Sequence, residues 1–241
     1  MKTEPNMILS KSFLRILLGL CLLFPMTTMS QTNQQGKPVS DSARFKQNPN
    51  YDYEIALYKI YKKKHANIVM LGNSITHGVN WNELTGRDDI VERGIPADIL
   101  PGFWARLNFV FDLHPKVVCI MGGINDIYNW TPVDEIFKNY VKIIESLRAK
   151  QITVVVQSTL CVAKRYQSAQ DRNGEVEKLD KLLAAYCAGH GIEYMDLKSK
   201  LTRNGFLKDE VTHDGLHLNA QGYKTWADEL ELVFKKLHLS F

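Results

Sequence analysis

The feature that most constrains this chain is an alternation of two periodicities. Five apolar runs of strand length, Asn67–Leu71, Asp89–Arg93, Lys116–Met121, Ile152–Gln157 and Ile192–Asp196, are separated by longer segments of helical period. In one such segment Val133, Ile136, Phe137, Tyr140, Ile144 and Leu147 fall on a single face, and in another Val176, Leu179, Leu183 and Tyr186 do the same. A last helix, from about Ala220 to Leu237, carries Trp226, Leu230, Val233 and Leu237 inward. Near-continuous apolar strands are buried on both faces, and strands that alternate with helices are joined by crossovers.

This pattern predicts an α/β fold, a three-layer α/β/α sandwich with a five-stranded parallel sheet of the flavodoxin-like type. Right-handed crossovers then place the chemistry beyond the carboxyl ends of the strands. At 241 residues, 45% of them hydrophobic, the chain suits one domain with a sizeable core.

Residues 1–30 read as a signal peptide: Lys11 and Arg15 precede an apolar run from Ile16 to Phe24, then Pro25 and a small or polar stretch to Ser30. The run is shorter than the ~20 residues of a spanning helix, so the expectation is a secreted or periplasmic protein without stable membrane insertion after processing. Residues 31–50, rich in Gln, Asn, Ser and Pro, read as an exposed lead-in, with the domain proper at 51–241. The formal charge of +4 falls to about +2 without the leader, which carries Lys2, Lys11 and Arg15 against Glu4, and this balance predicts no nucleic-acid partner. Lys62, Lys63 and Lys64, the densest basic run, are expected to close a helix whose C-terminal dipole favours cations. Past the leader, Cys119, Cys161 and Cys187 are too few and too scattered for a disulfide framework or a zinc site.

Four blocks fall at strand ends or in the last loop. Gly72-Asn73-Ser74-Ile75-Thr76-His77-Gly78 follows the first strand and sets a serine at the sheet mouth, its N–H near a helix start; a helix cap is the plain alternative. Glu92-Arg93-Gly94-Ile95-Pro96 follows the second, with a glycine whose N–H can approach a ligand or merely turn the chain. Gly122-Gly123-Ile124-Asn125-Asp126 follows the third; an Asn carboxamide donates to an oxyanion without the charge that would repel it, and alone it equally suits a turn. In Thr212-His213-Asp214-Gly215-Leu216-His217-Leu218-Asn219, Asp and His three apart can bring a carboxylate to imidazole Nδ1 and leave Nε2 for a serine. Helix capping by Asp214 or Asn219 competes there, and metal binding by His213, Asp214 and His217 lacks a further clear ligand. Together the blocks supply a nucleophile, oxyanion donors, a base and its orienter.

On these residues the chain resembles the SGNH, or GDSL-like, hydrolase superfamily, over about Asn67 to Leu237. Ser74, Gly94 and Asn125 match the Ser, Gly and Asn of three blocks, and Asp214 and His217 match its Asp-x-x-His. Pro115-Lys116-Val117-Val118 is similar to the branch that contains the platelet-activating-factor acetylhydrolase catalytic subunits. The resemblance implies a Ser74–His217–Asp214 triad, an oxyanion hole of the Ser74 N–H, the Gly94 N–H and the Asn125 side chain, and no cofactor or metal. One departure is Asn73, where the family commonly has Asp; the amide keeps a hydrogen bond but loses the charge.

The expected activity is ester hydrolysis through an acyl-enzyme. With no long apolar lid, and with His77, Trp81, Tyr128, Trp130, Arg165 and Tyr166 near strand ends, a polar rim suits short acyl groups, acetyl above all, on a glycan or other polar alcohol. A lipolytic enzyme or lysophospholipase on the same triad, and a non-catalytic glycan-binding module, are the alternatives. Oligomeric state is not read from the sequence.

Overall fold

The structure, a computed structural model, describes residues 41–238. Strands β1 (Ile68–Gly72), β2 (Ile90–Gly94), β3 (Val117–Met121), β4 (Thr153–Gln157) and β5 (Glu193–Met195) form one parallel sheet in the order β2-β1-β3-β4-β5. This is the doubly wound flavodoxin-like order, and its winding reverses between β1 and β3. Ser74 follows β1 and Asn125 follows β3, so the two flank the crevice at that reversal.

All five expected strands are present, each beginning one residue later than the apolar pattern suggested. The displaced residues still serve the frame. The Asn67 carbonyl accepts the N–H groups of Lys116 and Val117 at 2.9 and 3.0 Å. Ile192 closes the preceding helix instead, donating to the Cys187 carbonyl at 2.9 Å, and Asp196 caps the next helix by accepting the Ser199 N–H.

Helix Val133–Arg148 packs against both Ala169–His190 and Leu100–Ala105; Ala220–Lys236 packs with Trp81–Thr85 and Leu197–Leu201. The first of these begins with Asp134 and Glu135 and ends with Arg148, charges that suit the helix dipole. Its buried face, Ile136, Tyr140, Ile143, Ile144 and Leu147, follows the helical stripe. Truncating one such core side chain to alanine costs about 2–5 kcal/mol. Thr202–Arg203 (β6) and Phe206–Leu207 (β7) add a small hairpin turned by Asn204-Gly205, both at positive φ, as a two-residue hairpin turn requires.

Three expectations change. The lead-in does not extend to residue 50: residues 41–47 are helical, and Phe45 is buried against Tyr51 with ring centroids 4.7 Å apart. Phe45, Tyr51, Tyr58, Ile95 and Ile99 make a second small core, entered through Asn48, whose side chain caps helix Pro49–Ile60 and donates to the Pro96 carbonyl. Secondly, Lys62–Lys64 do not close that helix, which ends at Ile60; Tyr61 is already extended, so the lysines lie beyond the dipole. Thirdly, Trp81 belongs to the core, as described below. The leader, residues 1–30, and residues 31–40 lie outside the described residues. Among the described residues no helix is long and apolar enough to cross a membrane.

Candidate active site

The serine turn is built from the end of β1. After five buried residues the chain turns at Asn73, which is 1% exposed and caps helix Ser74–His77 by accepting the Ile75 N–H at 3.0 Å. Asn and Asp cap about equally well, so Asn73 supplies the bond with a neutral group. Ser74 is the first residue of this helix, where N–H groups have no intrahelical acceptor.

The second element is the end of β2, paired in register with β1 so that Gly94 stands beside Gly72. A Cβ at Gly94 would lie 2.6 Å from the Asn73 carbonyl oxygen and 2.7 Å from the His77 nitrogen, so glycine is required for this approach. The Gly94 N–H donates to the Glu92 carboxylate, and its carbonyl accepts the Tyr58 hydroxyl at 2.9 Å. Thus the expected oxyanion donor at Gly94 is engaged by an acidic side chain in this structure. The third element is Asn125, in the first turn of helix Ile124–Tyr128, whose Nδ2 donates to the Asp98 carbonyl at 2.8 Å. That bond uses one amide hydrogen and fixes the direction of the other.

One buried side chain ties these three turns together. Arg106 donates from Nε to the Asp98 carboxylate at 2.9 Å, from Nη1 to the Arg93 carbonyl at 2.9 Å and from Nη2 to the Gly72 carbonyl at 2.8 Å. Both members of the ion pair are essentially inaccessible. Burial pushes the Asp98 carboxyl upward, and the Arg106 charge and hydrogen bond oppose that shift. Asp126, also buried, accepts the Leu100 N–H at 3.1 Å and holds the segment after Asp98. Asp98, Arg106 and Asp126 carry none of the sequence expectations. Their signal was a charge set inside an apolar run, as in Phe103-Trp104-Ala105-Arg106-Leu107.

The fourth element is the loop before helix Ala220–Lys236. His217 Nδ1 lies 2.6 Å from Asp214 Oδ2, and its Nε2 lies 2.9 Å from Ser74 Oγ. Asp214 Oδ1 accepts the backbone N–H groups of Leu216 and His217 at 2.8 and 2.7 Å. Desolvation, the largest single influence on the Asp214 carboxyl, pushes it up, but the hydrogen bonds from the His217 ring, Leu216 and His217 together hold it well below the usual carboxylate range. Thr212 pins the loop by donating to the His217 carbonyl and accepting the Gly215 N–H, and Asn219 caps the final helix. His213 lies parallel to His217, ring centroids 6.0 Å apart, and with Asp214 these residues place ligand-type atoms within 4.8 Å of one another.

The rim residues are not gathered in one place. Tyr166 lies against Gly215 of the His217 loop and meets Tyr128 edge to face at 5.6 Å. Trp130 is 75% exposed, one face covered by the Arg172 guanidinium at 3.2 Å. Arg165 pairs with Asp209. His77 borders Gly94, its Nδ1 3.6 Å from Glu92 Oε2, and the hydrogen bond to Glu92 raises its pKa against the opposing effect of burial. Trp81 is removed from the rim: it is 1% exposed, donates to the Thr76 carbonyl and packs edge-on against Trp226 at 4.8 Å. Apolar contact with two aromatic residues of the last helix outweighs exposure at a strand end.

Comparison with known proteins places the chain in a class. The GDSL-like lipase/acylhydrolase family model matches residues 70–225. The chain belongs to this family. Among solved structures it is similar to a Bacteroides fragilis protein described as an acylhydrolase, with 26% identity, TM-score 0.69, and 78% of this chain and 97% of that one covered. A Streptococcus pneumoniae protein named for platelet activating factor shares the fold at 24% identity and TM-score 0.67, over 76% of this chain and 92% of its own. An acetyl xylan esterase shares it at 20% identity and TM-score 0.60, over 69% of this chain and 98% of its own. Among curated proteins, an N-acylneuraminate cytidylyltransferase of Streptococcus agalactiae is 26% identical over 118 residues, 46% of this chain; the match spans only 28% of that relative's length.

Proposed function

We propose that this protein is a serine esterase that removes short acyl groups, acetyl above all, from a glycan or other polar alcohol. The observation that carries the reading is the continuous relay Asp214–His217–Ser74, with contacts of 2.6 and 2.9 Å. In it Asp214 holds the imidazole, His217 Nε2 takes the Ser74 proton, and Oγ attacks the ester carbonyl carbon. The alcohol leaves with the proton from His217, and water then releases the acid from the acyl-enzyme. The oxyanion is received by the Ser74 N–H, the Asn125 amide and the Gly94 N–H, the last after exchange of its bond to Glu92.

Support for a small acyl group and a polar alcohol comes from the walls. Glu92 and His77 border the Gly94 side, and Tyr166 and Tyr128 border the loop side. The likeness in fold to a protein named as an acetyl xylan esterase supports this reading. Hydrolysis of nitrophenyl esters of increasing acyl length tests the reading: acetate is expected to be preferred, and a preference for eight carbons or more would replace it with a lipolytic one. Asn125→Ala is expected to cut turnover on the acetate ester by about a hundredfold or more, ~2.7–4 kcal/mol; an unchanged rate removes Asn125 from the oxyanion hole. Export, read from residues 1–30, is part of the same proposal, and N-terminal sequencing of the secreted protein tests it.

A further inference from the structure

Behind the Gly94 turn lies a cleft that the ester chemistry does not use. It has a volume of about 240 Å³ and is lined by Arg93, Lys59, Lys63, Lys64, Tyr58 and Tyr61, with Asp112 as its carboxylate. Arg93 is 5% exposed, yet among the described residues it forms no ion pair. Its Nη1 donates to the neighbouring Glu92 carbonyl, while its Nε is buried without any acceptor. The Glu92 carboxylate, the nearest acid in sequence, is turned to the Gly94 N–H and His77.

A buried guanidinium without a carboxylate is costly, and a buried N–H without an acceptor adds to the cost. The Tyr58 and Tyr61 rings, 4.6 and 5.8 Å from the guanidinium carbon, compensate in part by cation–π attraction. What the cleft lacks is negative charge: four cations face one aspartate. The run Lys62–Lys64 gains a role here, because the helix stops at Ile60 and the extended chain carries Lys63 and Lys64 over Arg93, with Lys63 held to the Asp88 carbonyl.

We propose that this cleft is an anion-binding site that takes an oxyanion group, a phosphate, sulfate or carboxylate, on the Arg93 guanidinium with Lys59 and Lys64 as flanking charges. A planar guanidinium matches such groups through paired N–H bonds, and the lysines add charge without fixed geometry. The site stands whether or not Ser74 is the nucleophile. It adjoins that machinery through the chain itself, since Arg93 precedes Gly94 and the Tyr58 hydroxyl holds the Gly94 carbonyl.

The test is a titration of the full chain with inorganic phosphate, sulfate and acetate at constant ionic strength, followed by calorimetry and by the arginine Nε–H resonances. Saturable binding that shifts one buried arginine resonance is expected. The double variant Lys59→Gln/Lys64→Gln, whose lysines are exposed, should keep its fold and its activity on an uncharged ester while binding the same anion roughly tenfold more weakly. A sugar phosphate that binds more tightly than free phosphate would support the site and show that the anion arrives on a larger ligand. Absence of saturable binding by all three anions, or wild-type affinity in the double variant, overturns the proposal.

Discussion

The two halves of the candidate active site are built on opposite principles. The serine and its neighbouring donors stand on buried strand ends held by Arg106, which is 1% exposed and reaches Gly72, Arg93 and Asp98 at once. His217 and Asp214 stand on a loop whose side chains are 33% and 39% exposed, shaped by Asp214, Thr212 and Asn219 hydrogen bonds. The difference teaches where each half is vulnerable. A change on the strand side reaches the fold and the chemistry together, and a change on the loop side reaches chiefly the chemistry.

The largest effect is expected on the loop side. Asp214→Asn should lower turnover by about 10⁴-fold, since the amide no longer fixes the imidazole tautomer, while urea unfolding at neutral pH loses only the modest contribution of a carboxylate that is more than a third exposed. Comparable losses in activity and folding would erase the distinction between the halves. The same variant carries a pH signature. Because the folded Asp214 pKa is depressed, its contribution to stability is present above the ordinary value of about 3.9 and is lost as pH falls through and below it. Melting temperature against pH should therefore fall less steeply in acid for Asp214→Asn than for wild type.

Next comes Arg106→Ala, which leaves the Asp98 carboxylate buried and unpaired and frees three turn contacts. A loss of about 3–5 kcal/mol in folding stability is expected, measured by denaturant unfolding, with activity lost even in the folded fraction. A variant that keeps both would show that the strand ends hold their geometry unaided. The smallest effect separates the two sides at Gly94. Glu92→Gln removes a negative charge beside the proposed oxyanion position, and turnover on nitrophenyl acetate should rise roughly two- to tenfold, about 0.4–1.4 kcal/mol. A fall instead would make Glu92 a substrate contact.

How far the sequence could be read follows the same divide. The strands and the residues of the Ser74–His217–Asp214 relay were legible because each lies in a local pattern: an apolar run, a glycine-bounded turn, an Asp-x-x-His spacing. Arg106 was not, because its partners lie 8 to 34 residues away and nothing local distinguishes a buried cation from an exposed one. The burial of Trp81 is hidden for the same reason; its aromatic partners, Tyr223 and Trp226, come from the last helix. Phe45 sits in a polar stretch that reads as exposed until Tyr51, Ile95 and Ile99 converge on it. The lysine run follows a helix that stops at Ile60, where the apolar period carries no stop signal as strong as glycine or proline.

The central claim is that Ser74 is a nucleophile activated by the relay behind it. A fluorophosphonate probe, followed by peptide mass spectrometry, tests it most directly. The expected result is a single adduct on Ser74 in the wild type, formed much more slowly in His217→Ala; a folded, unlabelled Ser74, or equal labelling in both proteins, would contradict it.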